Sequence, residues 1–254
     1  MRTKANKIFF NGCSYTYGIG TAERTDDIKE SRYSKIVSNH FNMEEDNAAQ
    51  PGSCNQRIAR NTYTQCSPSE TALAVIMWSD PPRTEIFRPQ ENEYDFQDLA
   101  QITPQGANGT QSYEHREALL HYFTYIHSEE RALIHTLYNM MSVEAFFRSN
   151  NIPVMHLHYK GNFNRVLRHV LQRCNEPSFS NNHECINLKN EIERSINYLS
   201  PNKFVTGIDD SINFNDIVSH IPYSQISLGH PSAEGHKEYS QWLINYIEES
   251  NVIS

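Results

Sequence analysis

Basic residues are scarce. The 254-residue chain has 22 Lys and Arg against 30 Asp and Glu, a formal net charge of -8. That balance argues against a general nucleic-acid binder, which needs a cationic face against phosphate. Cysteine is sparse and odd in number, five in all. Scattered along the chain, the five do not form the disulfide framework of a small secreted domain. Long apolar runs are missing too. The longest, Ala72 to Trp78, is about a third of the roughly 20 residues that a membrane span needs. The first seven residues lead into only three apolar ones, too few for a signal peptide. No glycine-rich phosphate loop follows the first apolar segment, which leaves a nucleotide-binding reading weak. The expectation is a mildly acidic soluble protein, cytoplasmic or virion-borne and not classically secreted, without nucleic-acid or membrane partners.

The apolar segments that are present alternate in kind. Lys7-Ile8-Phe9-Phe10 reads as a short buried strand stopped by Asn11-Gly12. Residues 28–41 are weakly helical, 46–55 form a loop around Pro51-Gly52, and a helix follows to about Thr64. Ala72 to Trp78 has the continuous apolar character of a strand covered on both faces. The polar stretch from Pro82 to about residue 112 reads as an inserted loop region. Residues 114–150 are mostly helical, with Ser128 as an internal cap. Pro153 to Leu157 is another buried strand, 162–174 a helix, 177–184 a polar loop and 203–205 a short strand. Ser232 caps a last helix in which Tyr239, Trp242, Leu243, Tyr246 and Ile247 share one face. Alternating strands and helices predict one α/β domain over residues 1–254, with a central parallel sheet and helices on both faces. Reactive groups in such sheets gather at the carboxyl ends of the strands.

Two segments carry candidate chemistry. After the first strand comes Asn11-Gly12-Cys13-Ser14-Tyr15-Thr16-Tyr17-Gly18, which puts a serine hydroxyl at a strand-to-helix turn. Near the other end, Gly229-His230-Pro231-Ser232-Ala233-Glu234-Gly235-His236 places a histidine just before a helix. A serine nucleophile needs such a base within hydrogen-bond reach. These segments resemble the first and last blocks of the SGNH/GDSL hydrolases. Asn47 to Asn55, containing Gly52, is similar to the second block, and Val75 to Asp80 stands where the third belongs. The tryptophan in the third block and the long helix after it resemble phage-encoded and marine bacterial members.

The resemblance implies a flavodoxin-like three-layer α/β/α fold and metal-free ester or acetyl hydrolysis. It makes Ser14 the nucleophile and His230 the general base. The N–H groups of Ser14 and Gly52 would form an oxyanion hole, and Ser79 stands where the family has an asparagine donor. Asn55 is a conceivable substitute for that donor. The family's triad aspartate falls at Ser227 in this sequence, so Asp209, Asp210 or Asp216 would have to reach in from upstream, or a carbonyl would hold the ring. His236 is either a core residue or a supporting partner. Tyr15, Tyr17 and Trp78 can line a substrate pocket or belong to the core. His156 and His158 share a strand face, and His169, Cys174, His183 and Cys185 are zinc-like types. The first set could bind a metal but has no carboxylate or cysteine near it in the sequence, and the second matches no tight pair spacing, so no metal and no cofactor is expected. Cys13 reads as a small buried filler, and the Asp26-Asp27, Glu44-Glu45-Asp46 and Glu248-Glu249 runs read as solvated surface. The leading expectation is a serine esterase acting on a neutral small-molecule or glycan ester, with a carbohydrate O-acetyl ester as the first guess. The rival is a structural or binding protein that keeps the fold without the activity, such as a phage virion component. A homo-oligomer or virion assembly would suit either.

Overall fold

A computed structural model of the chain describes residues 5–87, 99–102, 117, 119–178, 182–199, 213–226 and 229–253. Four strands form the central sheet: β1 (Lys7–Asn11), β2 (Glu44–Asn47), β3 (Thr71–Trp78) and β6 (Val154–His158). Their order is β2-β1-β3-β6, and every neighbouring pair is parallel. This is the flavodoxin-like order, in which the chain switches direction beside β1. Two more strands, β4 (Thr84–Phe87) and β5 (Leu99–Ile102), pair antiparallel as a separate ribbon. The stretch expected to be an inserted loop therefore contains β structure. The strand expected over 203–205 lies outside the described residues.

Side-chain alternation along β1 and β3 feeds two cores, one on each face of the sheet. Phe9, Ala74, Ile76 and Trp78 point into one, where they meet α4 (Asn55–Gln65), α5 (Glu129–Ser149), α6 (Asn162–Asn175) and α7 (His183–Leu199). Ile8, Phe10, Leu73, Val75 and Met77 point into the other, against α3 (Tyr33–His40) and α9 (Ala233–Ser250). The remaining described helices are α1 (Ser14–Tyr17), α2 (Thr25–Ser31) and α8 (Phe214–Ile217), with a π-helical turn over Tyr122–Ile126. Ser128 caps α5 by accepting the Arg131 N–H at 3.1 Å, and Ser232 caps α9 by accepting that of Gly235 at 3.3 Å.

Two elements depart from the sequence reading. Helix α7 begins where a polar loop was expected to end and runs for 17 residues. Its inward residues Ile192 and Leu199 are fully buried, but they are diluted by Asn, Glu and Arg. The acidic run Glu44-Glu45-Asp46 is not simply solvated surface. It is the edge strand β2, where charge discourages pairing with another chain. Glu45 is buried and grips Arg32 bidentately, with Arg32 Nε–H donating to Oε1 at 2.8 Å and Nη2–H to Oε2 at 2.7 Å. Ser34 Oγ–H also donates to Oε1, at 2.5 Å. Glu45→Ala leaves the guanidinium buried without its counter-charge. Removing one partner of such a pair costs about 3–5 kcal/mol. Urea unfolding should therefore show a loss of that order, whereas Glu44→Ala, at an exposed position on the same strand, should change stability little.

Candidate active site

The site is built at the carboxyl edge of the sheet, where β1 turns into α1. The turn is tight. A Cβ on Gly12 would fall 2.3 Å from Thr16 Oγ1 and 2.9 Å from the Met77 carbonyl oxygen, so only glycine fits there. Asn11 braces the turn from below. Its Oδ1 accepts the Gly12 N–H at 2.8 Å, and its Nδ2 donates to Ile58 O at 2.7 Å and Thr62 Oγ1 at 2.9 Å. Cys13, fully buried, caps the helix with an extended backbone, and Ser14 is the first helical residue. The Ser14 N–H thus falls in the first turn, where no intrahelical acceptor exists.

His230 comes from the far end of the chain. Its Nε2 lies 2.9 Å from Ser14 Oγ. Three contacts hold the segment that carries it. Tyr15 Oη–H donates to the Gly229 carbonyl at 2.9 Å, the Ser224 N–H donates to the His230 carbonyl at 2.9 Å, and the Tyr15 ring packs 5.6 Å from the imidazole, centroid to centroid. Tyr15 is otherwise enclosed by Tyr159 and Phe214. Burial raises its phenol well above the ordinary value, so the hydroxyl keeps its proton and remains a donor.

The loop after β2 is tied to the same turn. The Ala48 N–H donates to Phe10 O at 2.9 Å, and the Gln50 N–H to Gly12 O at 3.3 Å. Gly52 follows with φ +77°, and a Cβ there would meet nothing within 4 Å. Its glycine character thus serves backbone conformation on an open face, not close packing.

Ser79 and Asn55 are committed elsewhere. The Ser79 hydroxyl donates its hydrogen to Ser53 O at 2.9 Å. Asn55 clamps the Ser79 backbone, with Nδ2 donating to Ser79 O and Oδ1 accepting the Ser79 N–H, and its second Nδ2 hydrogen goes to Thr136 Oγ1 at 3.0 Å. The two residues knit the loops after β2 and β3 together; neither aims a hydrogen at the mouth of the site.

Trp78 does not line a pocket. Strand alternation turns it into the α5 side of the core, where it is fully buried. Its Nε1–H donates to His156 Nδ1 at 2.9 Å, and His156 Nε2 faces Glu144 Oε2 at 3.1 Å. Both nitrogens of His156 are therefore occupied. Among the described residues, no group of three or more His, Cys, Asp or Glu could hold a metal ion. Tyr17 is half-buried at the end of α1. Asp209 and Asp210 lie outside the described residues. The Asp216 carboxylate accepts the Asn213 N–H at 3.3 Å in a capping box of α8.

His236 sits behind the site, fully buried. Its Nδ1 accepts the Tyr33 N–H at 3.2 Å, which places its hydrogen on the buried Nε2. Sequence reasoning missed three residues that the fold brings to this edge: Asp80, Arg83 and Tyr159. Tyr159 Oη–H donates to Asp80 Oδ2 at 2.5 Å, and Arg83 Nη2–H donates to Tyr159 Oη at 3.1 Å. A separate cavity of about 710 Å³, lined among others by His158, Lys160, Asn164, Arg165 and Gln172, opens beside the end of β6, and none of the candidate site residues Ser14, His230 and Tyr15 lines it.

No family model and no curated protein matches the sequence. Solved structures do match. An acetyl xylan esterase from the rumen bacterium Butyrivibrio proteoclasticus aligns over 100% of this chain and 66% of its own, with a TM-score of 0.50 and 10% identity. A GDSL-like lipase from Bacteroides thetaiotaomicron aligns over 98% and 92%, with a TM-score of 0.46 and 12% identity. A phospholipase A1 from Streptomyces albidoflavus aligns over 95% and 99%, with a TM-score of 0.47 and 12% identity. The chain has the SGNH/GDSL hydrolase fold. No described helix in this version of that fold is long and apolar enough to cross a membrane.

Two predictions arise from the histidines and Tyr15. Burial, with a smaller contribution from a neighbouring histidine, pushes both His158 and His236 down to about 3. In the unfolded chain each takes up its proton near 6.5, so the unfolded state binds more protons as pH falls from 6.5 towards 3. Stability should be at its full value above that window and decline within it. Urea midpoints measured from pH 7 to pH 4.5 should show that decline, and His236→Asn should flatten it. Tyr15→Phe should cost about 1 kcal/mol in stability through the lost bond to Gly229. It should also loosen the segment that carries His230, measurable as faster amide hydrogen exchange there.

Proposed function

We propose that the protein is an SGNH-type serine esterase that hydrolyses a neutral ester through an acyl-enzyme on Ser14. The observation that carries this reading is the 2.9 Å contact between Ser14 Oγ and His230 Nε2, made across 216 residues of chain. A nucleophile and base in hydrogen-bond contact at a strand end is the arrangement acyl transfer requires.

With its hydrogen on Nδ1, His230 accepts the Ser14 proton at Nε2 as Oγ bonds to the ester carbonyl carbon. The carbonyl π pair moves onto oxygen, facing the N–H groups of Ser14 and Gly52. When that pair returns, the bond to the alcohol oxygen breaks, and the leaving oxygen takes the proton from His230. A water molecule then repeats the sequence on the acyl-enzyme, giving up its proton to His230 and releasing the acid and Ser14. A carbohydrate O-acetyl ester is the substrate class to test first. The matching acetyl xylan esterase supports that choice.

Hydrolysis of p-nitrophenyl acetate tests the reading. Ser14→Ala and His230→Ala should each lower kcat by about 10³-fold or more. Equal rates for wild type and Ser14→Ala would sink it. They would favour instead a binding or structural protein, a reading that the commitment of Ser79 and Asn55 to the scaffold supports.

A further inference from the structure

Acyl transfer is fastest where fixed donors already face the oxygen that becomes negative. The esterase reading gives that task to two backbone N–H groups, those of Ser14 and Gly52. The side chains expected to add a third donor are engaged, since Ser79 Oγ–H is bonded to Ser53 O and both Nδ2 hydrogens of Asn55 are taken. The next cationic side chain along the same loop is Arg83. Pro81 and Pro82 stiffen the turn, and the Arg83 N–H closes it on Asp80 O at 3.1 Å. The side chain then crosses the carboxyl edge of the sheet. Its Nη2–H meets Tyr159 Oη, and its Cζ stands 5.4 Å from the centre of the Tyr159 ring.

Two aromatic rings, those of Tyr159 and Tyr15, lie between that position and the nucleophile's turn. The Tyr159 ring packs 4.6 Å from that of Tyr15, centroid to centroid, and Tyr15 packs in turn on His230. The guanidinium is close enough to Cys13 and Tyr15, the two residues that bracket Ser14, for their ionised forms to act on it. Burial weighs against its charge, while the Asp80 carboxylate, reached through Tyr159, favours it, and an arginine stays protonated in a protein. The guanidinium is thus a permanent cation. Among the described residues it makes no ion pair with a carboxylate, and it has five N–H donors against one side-chain hydrogen bond. Among the described residues this half-buried cation therefore has no carboxylate in direct contact, and it is suited to meet an anion.

We propose that Arg83 is the side-chain donor of the oxyanion hole, in the role that Ser79 and Asn55 have given up to the scaffold. The assignment rests on the Ser14–His230 esterase reading. As Ser14 Oγ bonds to the carbonyl carbon, the charge on the carbonyl oxygen is held by a guanidinium N–H together with the Ser14 and Gly52 N–H groups. Arg83 keeps its protons throughout; proton transfer stays with His230. Tyr159 is a positioning residue, which accepts from Arg83 on one side and donates to Asp80 on the other.

Kinetics on p-nitrophenyl acetate test this with Arg83→Met, Arg83→Lys and Tyr159→Phe, each checked by thermal melting. Removing one oxyanion donor typically costs about 10²–10³ in kcat. Arg83→Met should lose that much with KM within about threefold of wild type. Arg83→Lys should recover part of it, and Tyr159→Phe should lose about tenfold. Phenylboronic acid, which forms a tetrahedral anion on a serine nucleophile, should inhibit Arg83→Met more weakly by a factor similar to the loss in kcat. If Arg83→Met melts early, Arg83→Lys and boronate inhibition carry the comparison. The proposal is overturned if wild type is active but the Arg83 variants keep its kcat, or if their losses lie wholly in KM. A wild type without Ser14-dependent turnover sinks the esterase reading, and this assignment with it.

Discussion

Gly12 is squeezed between the Met77 carbonyl of β3 and the hydroxyl of Thr16, closer than any side chain permits. The geometry of the site depends on that approach. It brings the end of β1 against the end of β3, so the turn that presents Ser14 is set by packing against a central strand and not by a mobile loop. Asn11 then ties the turn to α4, and the backbone bonds from Ala48 and Gln50 bring the Gly52 loop to the same point. A site laid on central strands in this way is held more rigidly than one carried by loops alone.

The second support is electrostatic. The Arg32–Glu45 pair links the start of α3 to the edge strand β2, and Arg32 Nη1–H reaches the Tyr17 carbonyl at 3.5 Å. Asn47, two residues beyond Glu45, donates to the Thr16 carbonyl at 3.1 Å. Both contacts fall on the carboxyl end of α1, where helix carbonyls lack partners. The four-residue helix that begins at Ser14 is thus fixed by Gly12 at one end and by Arg32 and Asn47 at the other. This explains why so short a helix can hold a position.

The sequence shows some of this plainly and hides the rest for physical reasons. β3 is legible because a strand buried on both faces is apolar at every position. β2 is not, because an edge strand that uses charge against aggregation has the composition of a surface loop. The candidate nucleophile and base are legible through the order of four short segments. Trp78 fits both a pocket wall and a core residue until strand alternation and the His156 bond place it in the core. Ser79 and Asn55 are polar residues in the right segments, but only the fold decides where their hydrogens go. Arg83 follows two prolines in a polar stretch, and nothing local marks it; its meaning arises when the end of β6 brings Tyr159 alongside.

The separation between Ser14 and His230 has a consequence for the timing of biogenesis. The serine turn is synthesised ahead of the other strands of the sheet, whereas the histidine follows 216 residues later. At about 5–20 residues per second, that interval is roughly 10–40 s of synthesis. Throughout it the chain carries an unpaired serine and no base. Any hydrolytic capacity would then switch on in one late step, when the His230 segment docks on Tyr15, so prematurely terminated chains would be silent however well their sheet had formed.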